Sequence, residues 1–158
     1  MTHDTIIDTL SIGETVAIDH SDPRVRGLSE LMREMGEAPP DKDAPTREVI
    51  ARLGDNWSPL ILKILETGSY RHATLKRLVG MLSAEGDISQ RMLTLRLKAL
   101  ERDGFVLRRV DGSIPPRVTY SLSEMGLGLT EQLNHLLKWI DGHSAQIETA
   151  RRAFTSSR

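Results

Sequence analysis

The stretch "DISQRMLTLRLKALERDGF", residues 87–105, decides how this chain folds. At about 100° per residue, Leu93, Leu97 and Leu100 fall on one narrow stripe, as in a helix laid against a core. Gln90, Arg91, Thr94, Lys98, Glu101 and Arg102 occupy the opposite sector, with Leu95 at its edge. Packing needs only the first face. A charged second face is more often merely solvated than functional, so its neighbours in the chain have to decide its use.

Upstream, "HATLKRLVGML" carries Leu75, Leu78, Val79 and Leu82 at helical spacing, and "SAEGD" turns from it into the quoted helix, whose cap is Asp87 or Ser89. Before that, "WSPLILKILETG" starts after Asp55–Asn56, accepts Pro59 in its first turn and stops at Gly68. A shorter helix runs from about Thr46 to Leu53. Downstream of Gly104 the period changes. "FVLRRV" and "RVTYSL" are β-rich runs joined by "DGSIPP", whose Asp-Gly and Pro-Pro suit a hairpin loop. "SEMGLGLTEQLNHLLKWIDGHSAQIETARRAF" then returns to helix, with Ser123 as cap and a stripe of Leu129, Leu133, Leu136, Leu137, Ile140 and Ile147.

This order predicts a mainly α fold with a small β-hairpin, a winged helix-turn-helix with flanking N- and C-terminal helices. Residues 45–122 form the winged helix-turn-helix core and 123–158 a C-terminal helical segment. Residues 1–44 are an acidic extension with one helix at about 23–36, capped by Asp22 with Pro23 at its first position, and a linker, "EAPPDKDAP". Residues 1–22 alternate only weakly, which leaves a strand, an arm or no regular structure open.

The net charge of −1 over 158 residues conceals a segregation. Residues 1–48 hold five Lys/Arg against eleven Asp/Glu, whereas residues 89–117 hold seven against three. A phosphate backbone responds to that local cationic field rather than to the total. The basic residues also fall in a telling order. Gln90 and Arg91 open the helix, where base edges are read, and Gln bonds adenine as Arg bonds guanine. Thr94 and Leu95 suit a thymine methyl. Ser89, Lys98 and Arg102 suit phosphates, and Arg108, Arg109 and Arg117 belong to the hairpin, as in a wing laid along the backbone or minor groove. The same arginines would equally balance acidic groups on a neighbouring surface.

Other chemistries find little support. There are no cysteines, which excludes disulfides, thiolate metal sites and thiol redox sensing. The five histidines lack ligand spacing, and the chain has no Gly-x-Ser-x-Gly elbow or P-loop. No catalytic residue, metal or cofactor is therefore expected. No apolar run approaches the roughly 18 residues of a membrane span, and the N-terminus lacks a signal-peptide pattern, so the expected location is cytoplasmic with no membrane partner.

Three blocks, "LGDNWSPLILKIL", "ISQRMLTLRLKALERDGFVLRRV" and "IPPRVTYSLSEMG", resemble the HxlR-type winged-helix transcriptional regulators, relatives of the MarR group, over roughly residues 46–140. The resemblance implies a homodimeric repressor or activator on a palindromic operator in double-stranded DNA, with dimer contacts from the terminal helices. This chain departs from the family in four places, one being the turn before the recognition helix, where "GMLSAEGD" is longer than usual. "DKDAPTREVI" lacks the cysteine many members carry before the Trp-bearing helix, Arg71–His72 replaces an Arg-Phe pair, and Leu95 replaces a polar residue, often Gln.

Trp57, Tyr70, Met125 and Trp139 would line a pocket for a small-molecule effector between winged core and terminal helices. At helical spacing such residues are more often plain core. The reading is thus a sequence-specific DNA-binding regulator, by family default a repressor. The alternative is a winged-helix protein-interaction module that does not bind DNA.

Overall fold

In the computed structural model, which describes residues 3–13, 15–35 and 41–157, helix gives way to strand at Gly104. Gly104 takes a φ of +81°, and Phe105 N donates to Leu100 O at 2.9 Å, which closes the helix end without a Cβ in the way. The helix it ends is α6 (Gln90–Arg102), preceded by α3 (Pro45–Leu53), α4 (Ser58–Glu66), β1 (Tyr70–Arg71) and α5 (His72–Leu82). It is followed by β2 (Val106–Val110), β3 (Val118–Leu122), α7 (Glu124–Gly142) and α8 (Ser144–Ser156). At the N-terminal end lie α1 (His3–Ser11) and α2 (Pro23–Glu34). The chain divides into two compact units, Met1–Arg52 and Leu53–Arg158.

The second unit is built as the apolar periodicities require. Ile61, Leu62, Leu65, Leu75, Val79, Ile88, Leu93, Leu97, Leu100 and Val106 are buried and join α4, α5, α6 and β2 in one core. Asp55 secures the start of α4, accepting hydrogen bonds from Trp57 N, Ser58 N and Ser58 Oγ at 2.6–2.7 Å. The sheet is antiparallel in the order β1-β3-β2. Its β1 strand was not foreseen, because two residues, Tyr70 and Arg71, are too few to show a period of two.

Helix α7 is capped by Ser123, whose Oγ accepts from Gly126 N at 2.9 Å and donates to Gly104 O at 2.6 Å. Gly126, Thr130 and Leu133 form its buried face. The C-terminal segment is two helices rather than the single one expected: α7 ends at Gly142, and His143 lies between it and α8. His143 stacks on Trp139 with ring centroids 4.1 Å apart, and its Nδ1 lies 2.7 Å from Trp139 O.

The first unit has its own small core. Residues 3–11 are helical, where the sequence left strand, arm or no structure open, and Ile6 packs with Ile18 and Val25. Leu28 and Met32 of α2 pack against this cluster, so much of the apolar face of α2 is already covered. The cap expected at Asp22 is present, its side chain accepting from Arg24 N at 2.8 Å, with Pro23 following. The expected Gly36 stop and most of the linker, residues 36–40, lie outside the described residues. No helix among the described residues is long and apolar enough to cross a membrane.

Candidate nucleic-acid interface

Ser89 caps α6, its Oγ accepting from Met92 N at 3.0 Å. The cap fixes the rotation of the first turn, and Leu93, Leu97 and Leu100 fix the rest by burying one face. Gln90, Arg91, Thr94, Leu95 and Lys98 consequently line one shallow, open hollow on the other face. Leu95 is 50% exposed there, an apolar side chain held in water with nothing in the fold that requires it.

The cations of residues 89–117 divide into two kinds. Arg96 points towards Asp55, 3.7 Å away, and its buried Nε has no hydrogen-bond partner among the described residues. Arg102 Nε donates to Asp103 Oδ1 at 3.0 Å, which turns its guanidinium towards the helix end. By contrast, no ion pair engages Arg91, Lys98, Arg108, Arg109 or Arg117 among the described residues, and all five are exposed.

The sheet register sorts the hairpin arginines. Directly opposed residues share a face, so Arg71, Thr119 and Arg109 form one row across all three strands. Arg108 stands on the other face, opposite Tyr120, whose side chain is buried. Arg108 and Arg109 therefore project from opposite faces of the sheet. Arg71 is the cation that sequence reasoning missed, because only the pairing of β1 with β3 brings it to the wing.

The hairpin loop is organised by Asp111. Its Oδ1 accepts from Ser113 N at 3.0 Å, from Arg117 N at 3.1 Å and from Ser113 Oγ, and Asp111 N donates to Arg117 O at 2.9 Å. The Ser113 side-chain bond, then the backbone bonds from Ser113 and Arg117, hold this carboxyl below its usual range. A second hollow lies between the loop, residues 113–118, and the start of α5 at Arg71, His72 and Ala73.

His72 is the other residue the sequence did not mark as functional. Its Nε2 lies 2.9 Å from Thr94 Oγ1, and its ring sits beside that of Tyr120 at 6.4 Å. Burial and the neighbouring Lys76 push its imidazole below the ordinary value.

Of Trp57, Tyr70, Met125 and Trp139, the first two are partly buried and the last two lie on α7. Met125 and Trp139 are 53% and 59% exposed. They also stand fourteen positions apart on α7, about 21 Å along its axis. Neither is core, contrary to the simpler of the two expectations.

The comparisons with known proteins agree with this architecture. The family model described as HxlR-like helix-turn-helix matches residues 52–148, nearly the whole second unit. The HTH-type transcriptional regulator YtfH of Escherichia coli is 34% identical over 110 residues, covering 70% of this chain and 82% of that protein. YtcD of Bacillus subtilis, described in the same terms, is 41% identical over 98 residues, covering 62% and 71%. Among solved structures, the transcriptional regulator ytfH from Salmonella typhimurium superposes with a TM-score of 0.59 at 32% identity, covering 74% of this chain and 98% of that one. The redox regulator HypR in its reduced form superposes with 0.56 at 30% identity, covering 67% and 99%. These relatives are described as regulators, the first three as regulators of transcription. This chain belongs to the HxlR-like helix-turn-helix family of DNA-binding transcriptional regulators.

Proposed function

We propose that this protein represses transcription by binding a palindromic operator as a homodimer. Helix α6 enters the major groove, where Gln90, Arg91, Thr94 and Leu95 meet base edges. Ser89 and Lys98 hold phosphates beside them. The row of Arg71 and Arg109, with Arg117, follows the backbone into the adjacent minor groove. The observation that carries this reading is the hollow on α6, whose lining holds all four residues suited to base contact, with Lys98 beside them.

The dimer is supported by α7. Its buried face passes through Gly126, Thr130 and Leu133, and the same azimuth continues through Leu136, Leu137 and Ile140. Those three are 50%, 41% and 40% exposed. The apolar stripe outlasts the core it packs on, and an isologous contact between two copies would cover it. A palindromic site follows, since two-fold symmetry in the protein asks for two-fold symmetry in the DNA.

Sedimentation equilibrium of the full chain, alone and with a duplex selected from a random pool, tests this reading. A dimer bound to an inverted repeat is expected. A monomer on a single half-site would contradict it, and failure to select any DNA would favour a protein-interaction module.

A further inference from the structure

A threonine hydroxyl has one hydrogen to donate and two lone pairs to accept with. In Thr94 the hydrogen goes to Gln90 O, 2.9 Å away on the preceding turn. With that proton committed, the contact at 2.9 Å from His72 Nε2 has the ring donating its N–H into Thr94 Oγ1. The hydroxyl is thus held from two sides, by its own helix and by the first residue of α5. What Thr94 has left for the open hollow is its methyl group and one lone pair, on an oxygen already tied to its own helix and to α5. Leu95 beside it is wholly apolar and 50% exposed. Two adjacent positions of the reading helix therefore offer carbon and no free hydrogen-bond donor.

We propose that His72 is a positioning residue that commits Thr94 to methyl contact, so that Thr94 and Leu95 together read the C5-methyl of a pyrimidine in the major groove. The inference rests on α6 being the groove-reading helix. Apolar side chains touching a thymine methyl are a recognised mode of base discrimination, and a methylated cytosine offers the same group. His72 acts through Thr94 and needs no contact with DNA. Its work is to hold the rotamer: a Thr94 side chain free to rotate would turn its hydroxyl to the amino group of adenine or cytosine and blur the preference.

The test starts from a duplex that the full-length protein selects from a random-sequence pool. Each thymine is replaced singly by uracil, which removes only the methyl, and each cytosine singly by 5-methylcytosine. For the wild type, uracil at one position in each half-site is expected to weaken binding about fourfold, the effect of one methyl group leaving an apolar contact. A gain at a methylated cytosine instead would assign the contact to that base. Thr94→Val is expected to keep the discrimination and Thr94→Ser to lose it. His72→Ala is expected to shrink the thymine-to-uracil ratio, and His72→Gln, whose amide can still donate, to restore it. A selected duplex indifferent to every uracil and every 5-methylcytosine would overturn the proposal while leaving DNA binding intact. If no sequence is selected at all, the groove-reading assignment of α6 fails and this proposal fails with it.

Discussion

Asn134 on α7 donates through Nδ2 to Glu66 Oε1 on α4 at 2.7 Å, and Lys63 Nζ binds both Glu66 Oε2 and Asn134 Oδ1. Three side chains thereby close a ring between the winged core and the helix assigned to the dimer. The hydrogen bonds from Lys63 first, then Asn134, lower the Glu66 carboxyl below its ordinary range.

Replacing Asn134 by Ala removes two of these bonds, and a loss of about 1 kcal/mol is expected at so open a site. A depressed carboxyl contributes stability that is complete above its unfolded value and disappears as pH falls through its folded one. Urea titrations at pH 7 and pH 3 check both points, since the difference between wild type and Asn134→Ala should narrow at the lower pH. An equal difference at both would show that Glu66 is not the partner that matters.

Gly126 and Gly128 stand two residues apart on α7 and are expected to respond in opposite directions to Ala. A Cβ on Gly126 would run into the Phe105 carbonyl, whereas one on Gly128 has nothing within 4 Å. Gly126→Ala should cost about 1–3 kcal/mol through forced backbone displacement. Gly128→Ala should gain up to about 1 kcal/mol from helix propensity. Thermal unfolding of the two variants decides the matter, and a destabilised Gly128→Ala would contradict the open surround described for it.

The contrast also shows what the sequence can and cannot carry. The stripe of Leu93, Leu97 and Leu100 and the turn at Gly104 were legible because burial imposes a period and a left-handed stop imposes glycine. The short strand at Tyr70–Arg71 was not, since its existence depends on Tyr120 and Thr119, some fifty residues away. Nor could the sequence show Arg71 beside Thr119 or His72 beside Thr94, since both contacts are made between distant segments. Counting charges also could not show that Arg96 lies against Asp55 and that Arg102 pairs with Asp103. The break at His143 had no breaker stronger than Gly142 to announce it, and the apolar pattern runs on across it.

Asp111 organises the wing without touching the core, so its loss should act on binding and spare the fold. Asp111→Ala is expected to leave the melting temperature within about 2 °C, consistent with an exposed site. DNA affinity should fall as the loop carrying Arg117 loosens. Circular dichroism and anisotropy on one preparation check this, and unchanged affinity would show that the loop order is irrelevant to binding.

His72 gives a pH signature in the absence of DNA. Its imidazole is held below the ordinary value by burial and by Lys76, so the unfolded chain takes up the proton first as pH falls. Stability should therefore rise with pH across the interval between the folded value and about 6.5, and be flat with respect to this group above it. His72→Phe should reduce that slope while the four other histidines remain as background. Identical slopes in urea titrations from about pH 5 to pH 7 would contradict the assigned shift.

The central claim is that the open face of α6 meets DNA, with Arg91 at a base and Lys98 at a phosphate. Fluorescence anisotropy with duplex from upstream of the protein's own gene, measured across salt, tests it most directly. Affinity is expected to fall by orders of magnitude between about 50 and 200 mM salt. Lys98→Ala should weaken all sequences alike and reduce the salt slope by about one, whereas Arg91→Ala should cost about 1–3 kcal/mol on the preferred site and relax its preference. Absence of binding at low salt, or binding indifferent to both substitutions, would contradict the account.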